Sequence, residues 1–141
     1  MRTCTRLAFA LSCACSTMTA RASSDEVDGL WRTAAKDGVI QVASCADKPG
    51  AKCATVVWDA EANAPNNTCG LRVLELNGFE RNAWRDGWVF DPRDQKRYRG
   101  TLRVKEGVLE IRAYIGVEAL GETERMTRVN SLPTAPTCKK P

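Results

Sequence analysis

Histidine is absent and cysteine occurs seven times in these 141 residues. Without histidine the chain lacks the side chain that most often acts as general base near neutral pH, and the usual metal and haem ligand. Catalytic triads and zinc hydrolases are thereby excluded, and neither Ser44 nor Ser131 has a motif around it. Asp59, Asp86, Asp91 and Asp94 remain as candidates for a carboxylate pair. Asp91-Pro92 and Asp94 fall in a predicted turn, however, where aspartates bond the nearby backbone. No glycine-rich phosphate loop follows a strand pattern. The chain therefore reads as a non-enzyme, with no catalytic residue, no metal site and no cofactor.

The cysteines point to a compartment instead. Residues 1–22 begin with Arg2 and Arg6, continue through an apolar stretch from Leu7 to Ala14 and end Ala20-Arg21-Ala22. That is the pattern of a secretory signal cleaved after Ala22, which predicts a periplasmic or secreted chain. The rival is lipid attachment at Cys13, but Leu11 before Ser12 matches a lipoprotein signal poorly. No other apolar run approaches the roughly 18 residues of a membrane helix.

Cleavage would leave four cysteines, Cys45, Cys53, Cys69 and Cys138, an even set that reads as two disulfides in an oxidising compartment. Cys45 and Cys53 flank a loop with Pro49-Gly50 and are placed to meet across a hairpin, which leaves Cys69 to tie down a tail at Cys138. Loop entropy assigns these closures roughly 2.5 and 4.5 kcal/mol. No cysteine pair has the close spacing of a zinc motif.

Cleavage also removes three of the 21 basic residues, leaving 18 against 17 acidic ones. Net charge thus gives no support to a nucleic-acid partner, and Arg97, Arg99 and Arg103 read as the solvated face of a strand.

The segment that remains is long enough for one core. From Gly29 onward, short alternating apolar runs are separated by turn residues, the pattern of a meandering antiparallel sheet. Strands are predicted at residues 30–33, 39–44, 53–59, 71–76, 87–90, 97–104, 108–115 and 123–129. Asp37-Gly38, Pro49-Gly50, Asn77-Gly78, Asp91-Pro92 and Glu106-Gly107 mark the turns. Tyr98, Leu102 and Val104 share one face opposite three arginines, and Leu109, Ile111 and Ala113 oppose Glu110 and Arg112, so one face is buried and one wet. Residues 23–28 read as a polar, flexible start with a possible capped turn at Ser23-x-x-Glu26, and residues 60–68 as a loop over one end. The barrel domain is placed at residues 29–130, followed by a tail at 131–141.

An ordered series of these residues resembles one exported bacterial family, catalogued as domain of unknown function 2147. It comprises Gly29-Leu30-Trp31, Ile40-x-Val42 before Cys45, the Cys53 strand running to Trp58-Asp59, Gly70-Leu71, Trp84-x-x-Gly87-x-x-x-Asp91-Pro92, Lys96-x-Tyr98, Leu109-x-Ile111-Arg112-x-Tyr114-x-Gly116 and Thr127-Arg128-Val129. The resemblance implies an all-β, up-and-down barrel of about eight strands, like lipocalins and other calycins. It also implies that Gly29, Trp31 and Arg128 close one end, with the tryptophan packed beneath the arginine. Residues 60–68 are short for the family's loop, Met126 stands where a second aromatic is common, and Cys69 and Cys138 look like additions.

Aromatic residues are concentrated in the strands: Trp58, Trp84, Trp88, Phe90, Tyr98 and Tyr114. An eight-stranded barrel is either filled by its side chains or just wide enough for one small ligand. Two readings follow. In the first, Trp58, Trp88 and Tyr98 line a cavity for a small hydrophobic or amphipathic ligand. In the second, the barrel is packed and the chain binds a protein partner of the envelope or outside the cell, a reading that an exposed aromatic patch around Trp84 and Trp88 would favour.

Overall fold

In a computed structural model that describes residues 23–139, eight antiparallel strands close into one barrel. They are β1 (Gly29–Thr33), β2 (Gly38–Ser44), β3 (Lys52–Asp59), β4 (Arg72–Glu80), β5 (Ala83–Asp91), β6 (Lys96–Lys105), β7 (Val108–Tyr114) and β8 (Glu122–Val129). Each strand pairs with the next in sequence, and β8 returns to β1, where Trp31 faces Arg128 across the seam. Closure leaves no unpaired sheet edge. The predicted signal segment lies outside the described residues.

Alternation decides what fills the barrel. Trp31, Ile40, Val42, Ala54, Val56, Leu74, Leu76, Leu102, Leu109, Ile111 and Met126 belong to one buried cluster. On β6 and β7 the register sets Leu102 against Ile111 and Val104 against Leu109, placing both apolar rows on the inner face. Outside, Arg103 pairs with Glu110 at 2.8 Å, and Arg125 approaches the same carboxylate at 3.3 Å.

Three bulges shift the pattern. Ala54 pairs with Leu74 while Thr55 pairs with Arg72, so Val73 is an extra residue. Val56 pairs with Ile40 while Trp58 pairs with Val39, so Val57 is another. The third lies between Trp84 and Trp88, where Asp86 adopts φ 60°. Each bulge reverses the face of every residue beyond it.

One predicted turn is displaced. Asn77-Gly78 lies inside β4, and the chain reverses at Arg81-Asn82, both at positive φ. Asn77 donates its side-chain amide to the Asp86 carbonyl across the pair, so the turn-favouring residue serves the bulge instead. Gly87 beside that bulge allows the strands to touch, since a Cβ there would lie 1.9 Å from the Glu75 carbonyl oxygen.

Both disulfides form as the spacing predicts, Cys45–Cys53 and Cys69–Cys138. The second pins the tail after β8 to the loop after β3. That loop is organised by Asp59, whose carboxylate accepts bonds from the Glu61 amide, the Thr68 amide and the Thr68 hydroxyl at 2.6–2.8 Å.

Candidate functional site

The lower end of the barrel, where β1 begins and β8 finishes, is plugged. Trp31 is fully buried and its Nε1 donates to the Val27 carbonyl at 2.7 Å. The Arg128 guanidinium lies 4.1 Å from the centre of the Trp31 ring, and its two Nη atoms donate to the carbonyls of Asp28 and Glu26, each at 2.6 Å. Gly29 stands at φ +128°, where a Cβ would lie 2.6 Å from Arg128 Nη1. Gly29, Trp31 and Arg128 are thus brought together, with residues 23–28 folded across them as a pair of turns.

A second set of residues at this end has no counterpart in the sequence reading. Lys52 points inward, is 2% exposed, and bonds Asp28 at 2.7 Å and Asp25 at 3.0 Å. Burial works against the Lys52 ammonium, but the bonds to Asp28 and Asp25 outweigh it and hold its pKa above the ordinary lysine value. Trp84 lies 5.6 Å from that ammonium and donates its Nε1 to the Ser24 carbonyl at 2.7 Å. The polar character of Ser23, Ser24 and Asp25 suggested solvation, whereas the Ser24 carbonyl is the partner of Trp84, the Asp25 carboxylate is a partner of Lys52, and the nearby Val27 carbonyl takes Trp31.

Above this plug the lumen is occupied by its own side chains. Leu74, Leu76, Leu102 and Leu109 have no exposed surface. Two hollows among the described residues lie outside the lumen, one against the C-terminal tail and one beside the Cys69 loop.

The upper end is open and charged. Glu122 and Glu124 pair with Ala113 and Ile111, so they face inward, yet both are exposed. Tyr98 pairs with Val89 and bonds the Asp94 carboxylate through its hydroxyl. That bond, then burial and the acidic neighbours Asp91 and Glu122, raise the pKa of the phenol. Arg93 bonds both carboxylate oxygens of Asp91 and holds the Asp91 carboxyl below its usual range. Asp91 and Asp94 also accept from the Arg93 and Lys96 amides, as turn aspartates do. Among the described residues, no group of three or more His, Cys, Asp or Glu side chains is placed to hold a metal ion.

Trp58 and Trp88 are elsewhere. The bulge at Val57 turns Trp58 onto the outer wall with Val39, where the Arg32 guanidinium lies 5.7 Å from its ring. Trp88 pairs with Arg99 on the outer face and carries Arg97 at 4.1 Å above its ring. The three aromatic residues expected to share one cavity are therefore separated: Trp58 and Trp88 lie on different outer walls and Tyr98 sits at the mouth. Alternation alone puts Trp58 with Val56, and a bulge leaves no sign in that pattern. Of the expected outer patch, Trp88 is half-buried on the wall while Trp84 is buried in the plug.

Around Trp88 the wall has a distinct composition. Arg99 stands 5.4 Å over the Tyr114 ring, and Phe90 pairs with Arg97. The loop after β7 exposes Ile115, Val117 and Leu120 at 79%, 58% and 82%. It is nevertheless held firmly: Arg112 donates to the carbonyls of Glu118 at 2.6 Å and Ala119 at 2.9 Å, and Glu118 pairs with Arg85.

The family described as "Uncharacterized protein conserved in bacteria (DUF2147)" matches residues 29–128. No curated protein matches the chain. Among solved structures, the fold is similar to that of HP1028 from the human pathogen Helicobacter pylori, a protein described as belonging to the lipocalin family. The two share 14% identity over 74% of this chain and 83% of that one, with a TM-score of 0.54. At that identity the likeness establishes the barrel fold alone.

Proposed function

We propose that this chain, a protein that belongs to the bacterial family DUF2147, is a non-enzymatic, extracytoplasmic interaction module that engages an acidic protein surface through its outer wall. The observation that carries this reading is where the aromatic residues stand. Trp31 and Trp84 are consumed by the plug, while Trp88 and Tyr114 lie outside beneath arginines that form no ion pair among the described residues. Arginine stacked on an aromatic ring keeps its donors free for a carboxylate. Beside them, a pinned loop exposes three large apolar side chains, a combination of anchors and charge found at interfaces.

The compartment follows from the disulfides, which persist in oxidising surroundings. No helix among the described residues is long and apolar enough to cross a membrane, and signal cleavage after Ala22 completes the proposal. Gly29, Trp31 and Arg128 act in it as the structural closure of the barrel. The carrier reading, a small hydrophobic ligand held in the lumen, draws on the lipocalin fold, but it has to place that ligand among Leu74, Leu76, Leu102 and Leu109.

The test is site-specific photo-crosslinking from position 120 in the native bacterium. A discrete crosslinked protein, lost in Arg97→Glu/Arg99→Glu but retained in Arg125→Glu, is the expected result. Crosslinks insensitive to the Arg97 and Arg99 charges would overturn the outer-wall reading.

A further inference from the structure

Four buried side-chain atoms lack a hydrogen-bond partner among the described residues: Asp28 Oδ1, Arg32 Nε, Trp58 Nε1 and Arg85 Nε. Such atoms are costly, and each calls for an explanation. Asp28 and Arg85 belong to groups whose charge is met elsewhere, by Lys52 and Glu118. The other two lie together, since Arg32 stands over the Trp58 ring. Arg32 makes one long bond, from Nη2 to the Lys36 carbonyl at 3.4 Å, and no ion pair among the described residues.

Arg32 also lines a hollow of about 250 Å³ whose other walls are Val39 of β2, Val129 at the end of β8 and Ser131, Leu132 and Pro133 of the tail. The tail forms the outer wall of this hollow and is held against the barrel by Cys69–Cys138. A half-buried cation without an ion pair among the described residues therefore lines a hollow whose other side chains, Ser131 apart, are apolar.

We infer that this hollow binds a small carboxylic acid with a short apolar body. A carboxylate supplies two acceptors to the guanidinium, whose two Nη groups share a single long bond, to the Lys36 carbonyl. The apolar body would lie against Val129, Leu132 and Pro133, and the Ser131 hydroxyl adds a donor at the rim. A neutral ligand leaves the charge unanswered and a cation is repelled. The volume falls below the roughly 300–1,000 Å³ of sites for drug-sized ligands, which limits the acid to a short chain or a single ring. The site is separate from the Arg97–Arg99 wall, so either proposal stands if the other fails.

The experiment is a titration of the oxidised protein with hexanoate, followed through the four indole N–H resonances. Replacing Trp58 by Phe assigns its signal, and hexylamine and sodium chloride serve as matched controls. Hexanoate is expected to move the Trp58 signal saturably and to leave those of Trp31 and Trp84 in place. Arg32→Gln should weaken binding at least about tenfold, the loss of one charged hydrogen bond. Leu132→Glu, which sets a carboxylate on the opposite wall, should weaken it similarly, and Arg97→Gln should change nothing. The site is refuted by a titration that leaves Trp58 unmoved, by equal shifts with hexylamine or chloride, or by unchanged binding in Arg32→Gln.

Discussion

The four tryptophans divide into two pairs that do different work. Trp31 and Trp84 point into the barrel, and each spends its N–H on a carbonyl of residues 23–28. Trp58 and Trp88 point outward, each beneath an arginine, and Trp58 leaves its N–H unmet. The inner pair is satisfied entirely within the chain, so its value is stability. The outer pair is built from the same residue type but lies under arginines, with Trp58 buried beneath Arg32 and Trp88 half-buried beneath Arg97. In this barrel the tryptophans that hold the fold and the wall proposed to bind are on opposite sides of the same sheet.

Substitution should separate the pairs by size of effect. Trp31→Ala removes one of the two largest inner side chains and the partner of Arg128, and is expected to cost about 4 kcal/mol in urea unfolding. Removing the long-loop disulfide with Cys69→Ser/Cys138→Ser should cost about 3 kcal/mol, read as a lowered Tm. It should also release the outer wall of the hollow.

Lys52→Met should cost about 2 kcal/mol, less than breaking a fully buried pair because Asp25 and Asp28 remain solvated. Because folding raises the Lys52 pKa, its contribution is complete below the unfolded value near 10.4 and is lost as pH rises through the higher folded value. Stability in Lys52→Met should therefore fall less steeply than in the native chain in strongly alkaline solution.

Asp59→Asn should cost about 1 kcal/mol through loss of charged acceptors for the Cys69 loop. Burial raises the Asp59 pKa, but the bonds from Thr68 and Glu61 outweigh it and leave it lowered. Its contribution is thus present above about pH 4 and lost as pH falls through the folded value, so Asp59→Asn should flatten the acid limb of the stability curve. The smallest effect belongs to the outer pair. Trp88→Ala should change stability by less than about 1 kcal/mol while abolishing the crosslink from position 120.

Much of this was legible in the sequence, and what was hidden has physical causes. Strand alternation and the turn at Glu106-Gly107 reproduce β6 and β7 nearly residue by residue, because one wet and one buried face leave no alternative register. Cysteine spacing finds both disulfides. The Gly29, Trp31 and Arg128 set is a spacing resemblance that the structure resolves into a stacked contact. The bulges at Val57 and Asp86, in contrast, depend on cross-strand fit, and they decide which way Trp58 and Trp88 face. Residues 23–28 look solvated because their stabilising groups are backbone carbonyls, which sequence does not distinguish. Arg32 is one of many arginines until the tail is seen folding back beside it.

The most direct test of the outer-wall account is native mass spectrometry of the Arg32→Gln protein, produced from the full 141-residue sequence and purified without denaturant. The substitution weakens the hollow beside the tail, so a small molecule that survives purification is held elsewhere, in the lumen above all. The account predicts the bare mass of the disulfide-bonded chain. An adduct of a few hundred daltons that disappears on denaturation would contradict it and would make the barrel a carrier.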